Sequence, residues 1–326
     1  MLKKAAKKIL SRIPLLIGIT LISFLVIHLA PGSPVTAGQG LDPRINMAAR
    51  QKLEKLYGLD RPILTQYAEW SGRLARFDFG ESLTDGDKVT QKIAKAIPVT
   101  LAVSTLSLVL IFLFGIPLGV WTALHKDKPI DRALSFLTSA GISIPVFWLS
   151  LILLAFLGVS WRWIPVSGLH SLFYEERGAD RQFWDTARHL ILPVTVNSLG
   201  GLAALSRYMR AGYLHVLKEN YIRTARAKGL SESAVLYRHA LRNALLPVIT
   251  ILGLSVPSLL GGSVLVETIF SLPGMGRLFF SSVFARDYPV IMGILVLGAV
   301  LTLVGNSLAD LAYAAADPRI RAGQDG

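Results

Sequence analysis

The sequence predicts an all-α membrane protein with six transmembrane helices, and composition carries the first part of that prediction. Of the 326 residues, 52% are hydrophobic and only 17% are charged, whereas a soluble domain needs a larger charged surface. The charges are segregated, so several uncharged stretches are long enough to cross a bilayer core, which takes about 20 residues as a helix. The chain has no cysteine, which excludes disulfides and thiolate metal sites.

Six segments are apolar enough to be predicted as membrane spans, and the fourth is the shortest. They cover about 13–30, part of 97–124, part of 133–161, about 189–206, about 243–266 and about 288–309. Five basic residues precede the first segment, as in a signal peptide. However, its apolar stretch is long and His28-Leu29-Ala30-Pro31 is a poor cleavage site, so we expect an uncleaved first helix.

The distribution of Lys and Arg predicts the orientation. With the N-terminus inside, the inner segments carry eighteen Lys and Arg, and the two short outer connectors carry six. Cytoplasmic loops are the basic ones, so both termini are expected in the cytoplasm. The formal net charge of +13 is explained in the same way and does not indicate a nucleic-acid partner.

The segment between the first two spans is expected to fold as an outer insertion. It covers 31–96, and Gly and Pro punctuate two short amphipathic helices predicted at 48–57 and 66–74. The predicted organisation is therefore an N-terminal end with the first helix (1–30), this insertion, and a five-helix core (97–326) with a cytoplasmic loop at 207–242.

That loop is predicted to form a helix, a sharp turn and a second helix. The first helix covers about 213–228, and Gly229 is placed where a left-handed residue closes a helix. Ser231 can cap the second helix, and Glu232 suits its N-terminal dipole. A basic helix-turn-helix could also read DNA, but this one lies between two membrane segments. A loop without any partner is the other alternative.

Spacings of three and four place Ile222, Ala225 and Gly229 on one face of the first helix. The small residues on that face would allow a partner's surface to approach the backbone closely. This face is therefore the predicted docking face.

Several motifs together resemble one known family. The loop reads Tyr-Ile-Arg-Thr-Ala-Arg-Ala-Lys-Gly-Leu at 221–230 and Arg-His-Ala-Leu-Arg-Asn-Ala-Leu-Leu-Pro at 238–247. Asp-Phe-Gly-Glu-Ser at 78–82, Gly-Ile-Ser-Ile-Pro at 141–145, Pro-Gly-Met-Gly-Arg-Leu at 273–278 and Arg-Asp-Tyr-Pro at 286–289 agree with it. The chain resembles the dipeptide/oligopeptide/nickel permeases of ABC importers over nearly its whole length.

The resemblance implies an ABC importer permease fold in the bacterial inner membrane and a coupling loop that contacts an ATPase. Arg223-Thr224-Ala225 stands where ABC permeases in general have Glu-Ala-Ala, which is the form typical of this family. The coupling residues that it implies are Ile222, Arg223, Thr224, Ala225, Arg226, Gly229, Leu230 and Ser231.

The implied partners are a second homologous permease subunit, two ATP-binding subunits, an extracytoplasmic substrate-binding protein and membrane lipid. The chain has no Gly-x-x-x-x-Gly-Lys phosphate loop, so it is expected to be non-catalytic and to bind no cofactor. ATP and Mg would be used by the partner ATPases. No metal site is expected either.

The transported substrate implied by the resemblance is a di- or oligopeptide, with nickel or a metal chelate as the alternative within the family. Selectivity in such importers is set largely by the binding protein. A standalone channel or membrane scaffold is the alternative from another class, and co-purification of an ATPase would discriminate between the two.

Polar residues within the predicted spans are candidates to line the translocation path. They are Asn197, Ser198, Ser263 and Glu267, and hydrogen bonding between helices is the alternative role for each. Gly200 and Gly201 would allow close helix packing or a hinge. Trp161 and Trp163, near a helix end, are interpreted as anchors at the membrane interface.

Overall fold

The structure is a computed structural model that describes residues 13–29, 55, 58–255, 259 and 261–316. The described residues are predominantly helical, which confirms the all-α prediction. In chain order the helices are α1 (Ile13–Leu29), α2 (Ile63–Leu74), α3 (Val89–Leu124), α4 (Pro129–Ser143), α5 (Val146–Leu153) continued by a first π-helix (Leu154–Ser160), α6 (Ala179–Val216), α7 (Asn220–Ala227), a second π-helix (Ala234–Leu241), α8 (Arg242–Ala244), α9 (Leu246–Ser255), α10 (Val264–Ile269), α11 (Met275–Ala285) and α12 (Tyr288–Ala316).

Among the described residues, three helices are long and apolar enough to cross a membrane, namely α3, α6 and the part of α12 up to Asn306. Helix α4 and the α5 helix with its π-helical continuation meet the same criterion together, although they are bent by 101° at their junction. Helix α1 is apolar but shorter. The count of six spans stays a prediction.

The chain divides into two compact units. The first contains Met1–Thr100 and Pro273–Ser307, and the second contains Leu101–Leu272 and Leu308–Gly326.

In the first unit, the described part of the predicted outer segment packs against α1 and α12. Trp70 of α2 is buried with Phe24 of α1 and with Met292 and Val296 of α12. Helix α2 begins at Ile63, so the amphipathic helix predicted at 66–74 is confirmed with an earlier start. The helix predicted at 48–57 falls outside the described residues, apart from Lys55.

A buried carboxylate joins two of the sequence blocks that carry the family resemblance. Asp287 precedes α12 and is 1% exposed. It accepts hydrogen bonds from the Ser82 hydroxyl, from the Leu83 amide at 3.1 Å and from the Thr84 hydroxyl at 3.1 Å. The turn at 82–84 is therefore held by hydrogen bonds to a carboxyl group rather than by packing alone.

In the second unit, glycines allow α3 and α6 to approach closely. Gly115 and Gly119 form a Gly-x-x-x-Gly pattern on α3, and such small-residue pairs let helix backbones meet in membranes. A Cβ added at Gly119 would lie 2.6 Å from the Ser206 carbonyl oxygen and 2.7 Å from the Met209 Cβ. Gly119 thus has no room for any side chain.

A bidentate ion pair ties the start of α4 to α6. The Arg210 Nε and Nη2 atoms lie 2.9 and 2.7 Å from the two carboxylate oxygens of Asp131. Asp131 is buried, and it also accepts the amide of Asp127 at 3.0 Å. The two-point geometry fixes the orientation of the guanidinium as well as its position.

The third predicted span is not one straight helix. Ile144 and Pro145 are extended, with ψ of 123° and 131°, and they separate α4 from α5. Proline lacks an amide hydrogen and disfavours helical backbone in the residue before it. The span predicted within 133–161 is therefore a pair of helices bent at Pro145.

The fifth predicted span is also interrupted. Pro247 lies in the first turn of α9 and cannot continue the hydrogen bonding of α8, because it has no amide hydrogen. Helix α9 is described as far as Ser255, and Gly262, with a φ of +65°, lies outside a helix directly before α10. A continuous helix over 243–266 was therefore wrong.

The fourth predicted span lies inside a much longer helix. Helix α6 covers 38 residues, including Pro193, whereas the apolar stretch at 189–206 accounts for less than half of it. Charged residues such as Asp180 and Arg207 lie on either side of the apolar stretch within this helix, so hydropathy does not mark its ends. Helix α11 was not predicted, since its 11 residues are too few for a span.

The close approach at Gly119 predicts a large difference between two glycine substitutions. Gly119→Ala should lower the stability of the second unit by about 1–3 kcal/mol, because the methyl group meets backbone atoms that cannot move aside. Gly200→Ala is the matched control, since a Cβ there meets nothing within 4 Å and alanine favours a helix. Thermal unfolding of the purified complexes measures both. Equal unfolding temperatures for the two variants would contradict the close approach.

The Asp287 contacts predict a local opening of the turn at 82–84. Asp287→Ala should leave the amide and hydroxyl donors without their acceptor, at a cost of about 1–3 kcal/mol. Tryptic cleavage after the exposed Lys88 should then be faster. The control is Asp78→Ala, which removes an exposed carboxylate that accepts the Gly80 amide. Cleavage at an unchanged rate in Asp287→Ala would show that the carboxylate does not hold the turn.

Candidate functional site

The helix–turn–helix of the second unit closes at Gly229 as the sequence predicts. Gly229 has a φ of +76°, and its amide donates to the Arg226 carbonyl at 2.9 Å. The Leu230 amide donates to the Ala225 carbonyl at 3.4 Å. These two bonds form a Schellman motif, and glycine adopts its left-handed conformation without the strain that a Cβ atom adds.

The chain bends once more before this turn. Helix α6 ends at Val216 and α7 begins at Asn220, with Glu219 extended at a ψ of 147°. The single helix predicted over 213–228 was therefore wrong. The bend at Leu217–Glu219 redirects the chain, so that α7 is a separate short helix rather than a continuation of α6.

The second helix starts as predicted at Ser231, whose hydroxyl accepts the Ala234 amide at 3.4 Å. It then continues as the second π-helix, a form that is rare and frequent at functional sites.

An exposed ion pair bridges the turn. The Arg226 Nε and Nη2 atoms lie 3.1 and 2.7 Å from the two Glu232 carboxylate oxygens. These hydrogen bonds lower the pKa of Glu232 and raise that of Arg226. The pair is thus present at neutral pH and is lost as the pH falls through the lowered Glu232 pKa. The guanidinium group of Arg226 is therefore already bound to Glu232 of the same chain.

Two of the three residues of the predicted docking face, Ile222 and Ala225, point inward instead of outward. Ile222 is fully buried and Ala225 is 7% exposed. They belong to a cluster that joins the end of α3, the end of α6, α7 and the second π-helix. Its buried members are Val120, Ala123, Leu205, Met209, Tyr213, Ile222, Ala225, Val235, Ala240, Ala244 and Val248. We call this set the loop core. The idea that Ile222 and Ala225 face a partner is corrected, because the chain itself covers them.

Tyr213 is the loop-core residue that sequence reasoning missed. It is fully buried, and its hydroxyl donates to the Leu236 carbonyl at 3.0 Å. This bond crosses from α6 to the second π-helix and satisfies a phenol that would otherwise be costly to bury. A tyrosine beside a loop is usually an exposed residue, so only its tertiary partner identifies it.

The side of the loop opposite to the loop core remains exposed. Its side chains include two cations, three hydroxyl groups and an apolar residue, and they lie around the bare backbone of Gly229. We call this set the exposed turn surface; it consists of Tyr221, Arg223, Thr224, Lys228, Gly229, Leu230 and Ser231. Of the predicted coupling residues, Arg223, Thr224, Gly229, Leu230 and Ser231 lie on it.

Two of the predicted path residues lie on α6. The Asn197 amide nitrogen donates to the Ser107 hydroxyl of α3 at 3.1 Å, and Ser107 donates to the Val194 carbonyl at 3.2 Å. Ser198 is buried, and its hydroxyl donates to the Thr195 carbonyl at 2.8 Å. Asn197 therefore bonds between helices, and its role in the path stays a prediction.

The other two predicted path residues belong to α10. Ser263 caps this helix by accepting the Val266 amide at 3.4 Å. Glu267 is fully buried, which places a carboxylate in the interior of the second unit. Among the described residues, no three His, Asp or Glu side chains come close enough together to hold a metal ion.

Together these features define a multi-pass helical membrane protein with a polar, internally packed turn between apolar helices. A family model described as the binding-protein-dependent transport system inner membrane component matches residues 115–322, which include α6 and the whole turn. The chain belongs to this family and is a permease subunit of an ABC transporter.

Relatives are similar over nearly the full length. The oligopeptide transport system permease protein AppB of Bacillus subtilis is 45% identical over 315 residues, which cover 96% of this chain and 98% of the relative. The di/tripeptide transport system permease protein DppB of Pseudomonas aeruginosa is 40% identical, with 98% of this chain and 99% of the relative covered.

Substitutions at two neighbouring residues of α7 distinguish a position in the loop core from a position on the exposed turn surface. Ala225→Glu should lower the stability by about 3 kcal/mol or more, because it buries an unpaired carboxylate in the loop core. Thr224→Glu adds the same group to an exposed position and should change the stability by no more than about 0.5 kcal/mol. Unfolding temperature and membrane level measure both. A stable, well-inserted Ala225→Glu protein would contradict the buried position of Ala225.

Proposed function

We propose that this chain is a permease subunit of an ATP-driven peptide importer, moving di- or oligopeptides across the bacterial inner membrane. The observation that carries the proposal is the identity of 45% and 40%, over nearly the whole chain, to permeases named for oligopeptide and di/tripeptide transport. Six spans, cytoplasmic termini and the outer insertion at 31–96 are parts of this proposal, and the short-loop charge distribution supports the orientation.

In this proposal the chain catalyses no covalent reaction and binds no cofactor. Two separate ATP-binding subunits use ATP and Mg, a second homologous permease subunit completes the membrane part, and an extracytoplasmic protein delivers the substrate. The sequence has no phosphate-loop motif, which supports the assignment of ATP hydrolysis to separate subunits. The outer insertion receives the binding protein.

The exposed turn surface is the proposed contact with an ATP-binding subunit. Its geometry suits that role, because Gly229 has no side chain and Arg223 and Lys228 surround it with positive charge. A partner with a complementary acidic groove would be guided into register by these charges.

Motion of the partner would reach the membrane through the loop core. Since Ile222 and Ala225 are buried with the ends of α3 and α6, a displacement of α7 without those helices would open a packed cluster. A displacement of α7 together with α3 and α6 costs less free energy, because the loop core stays packed. The turn is therefore proposed to act as a rigid extension of α3 and α6, along which Asn197 and Ser198 are proposed to face the substrate path with Ser263 and Glu267.

Substitutions at Gly229 test the coupling role. Gly229→Val forces a branched residue into a left-handed conformation, at a cost of about 1–2 kcal/mol, and places its side chain on the contact surface. A Cβ there meets nothing of this chain within 4 Å, so membrane insertion should be spared. We expect normal permease levels with reduced ATPase association or with hydrolysis uncoupled from uptake.

Gly229→Asn is the matched control for strain, because asparagine tolerates the left-handed region but still adds a side chain. It should fold like the wild type and lose ATPase association. Uptake, hydrolysis and co-purification are measured on the same preparations. Full uptake by Gly229→Val would show that this turn does not couple the ATPase to transport.

The substrate is tested by reconstituting the complex with its binding protein in liposomes. ATP-dependent uptake of labelled dipeptides or oligopeptides is expected. Uptake of nickel without peptide uptake would overturn the peptide assignment and leave the importer assignment standing. Leakage that needs no ATP or partner would instead favour a channel.

A further inference from the structure

A cavity in the second unit lies where the first π-helix ends. Its volume is about 470 Å³, and it is lined by Gly158, Val159, Arg162, Trp163, Ile164, Pro165, Val166 and Arg188. The loop that forms it folds back onto the helix. The Trp161 amide donates to the Phe156 carbonyl at 2.9 Å, and the Trp163 amide donates to the Leu157 carbonyl at 2.9 Å. The wall of the cavity is thus held by backbone bonds.

Two guanidinium groups supply all of the charge in this lining. Arg162 and Arg188 are exposed, no acidic residue lines the cavity, and neither arginine forms an ion pair within the described part of the chain. Arg177 of the same connector differs, since it binds the buried Asp185 at 3.1 Å. The cavity lining therefore carries positive charge with no acidic residue beside it, and guanidinium groups are well suited to bind phosphate oxygens.

The backbone at Arg162 is held in an unfavourable conformation. Its φ is +53°, in the left-handed region that non-glycine residues rarely adopt. Such residues persist where the surrounding structure imposes them, and they cluster at ligand sites. Here the conformation occurs at a cation that lines the cavity.

An apolar surface leads directly into the cavity. The helix end before it exposes Leu151, Phe156 and Val159, and Val159 is also part of the lining. The exposed rings of Trp161 and Trp163 lie 4.6 Å apart at the end of the helix. Tryptophan at this position is typical of the headgroup level of a bilayer, so an apolar flank meets a cationic cavity at that level.

We propose that this cavity binds one phospholipid with a net negative headgroup. The headgroup phosphate lies between Arg162 and Arg188, Trp163 packs beside the glycerol region, and the acyl chains follow the apolar surface at Val159. The apolar flank favours a lipid over a free phosphate or an acidic protein segment, neither of which would use it. The two arginines favour an anionic over a zwitterionic headgroup, whose ammonium group they repel.

The test uses the assembled transporter in bicelles of phosphatidylcholine containing a small fraction of phosphatidylglycerol. Native mass spectrometry counts the phosphatidylglycerol molecules retained, with phosphatidylcholine retention as the reference. The test variant combines Arg162→Asn, which suits the left-handed backbone, with Arg188→Gln. Arg181→Gln removes an exposed arginine in the first turn of α6 that does not line the cavity. A further variant with lysine at both positions keeps the charge.

The wild type is expected to retain phosphatidylglycerol in preference to phosphatidylcholine. Affinity should fall about fivefold for each arginine removed, stay unchanged in Arg181→Gln and fall less in the double-lysine variant. Millimolar inorganic phosphate should not displace the lipid.

Each other outcome overturns the proposal. Undiminished retention in the Arg162→Asn/Arg188→Gln variant would show that the lipid lies elsewhere. Equal retention of the two lipids would mean that the charge is not recognised. Displacement by phosphate would indicate a free-anion site. Loss of the binding protein with normal lipid retention would assign the arginines to a protein contact.

Discussion

The burial of Ile222 and Ala225 by their own chain is the constraint on which the functional account depends. These residues pack in the loop core with the ends of α3 and α6 and with the π-helix that follows the turn. Fully burying an apolar side chain such as Ile222 contributes about 1.5–3 kcal/mol. The Tyr213 hydroxyl closes the same cluster by bonding the Leu236 carbonyl. The turn consequently cannot move far without taking both helices along.

The glycines of α3 extend this attachment into the apolar part of the second unit. Helices gain little from hydrophobic burial against each other inside a bilayer, so close backbone packing has to hold them. Gly119 against Ser206 and Met209 meets that condition, and the Arg210–Asp131 pair adds α4 to the same body. One set of contacts therefore joins the exposed turn surface to helices that are candidates for crossing the membrane.

Local signals in the sequence were sufficient for some of these features and insufficient for others. The left-handed Gly229 and the Ser231 cap were predictable, because both follow from backbone rules over a few residues. The inward direction of Ala225 was not, since a face of small residues fits a partner or the chain's own helices equally well. Hydropathy located the apolar stretches but not the break at Pro145 or the full length of α6. The meeting of Asp287 with Ser82 depends on tertiary structure that neither motif encodes alone.

The rigid attachment of the turn is tested most directly by measuring one distance during transport. The chain has no cysteine, so spin labels can be placed at Lys228 on the exposed turn surface and at the exposed Arg207 on α6. Double electron–electron resonance then measures the distance between the two labels in the assembled transporter, in the nucleotide-free and the ATP-bound state. The account predicts one unchanged distance distribution, because both labels belong to a single packed body. A shifted distance or a second population in the ATP-bound state would contradict it.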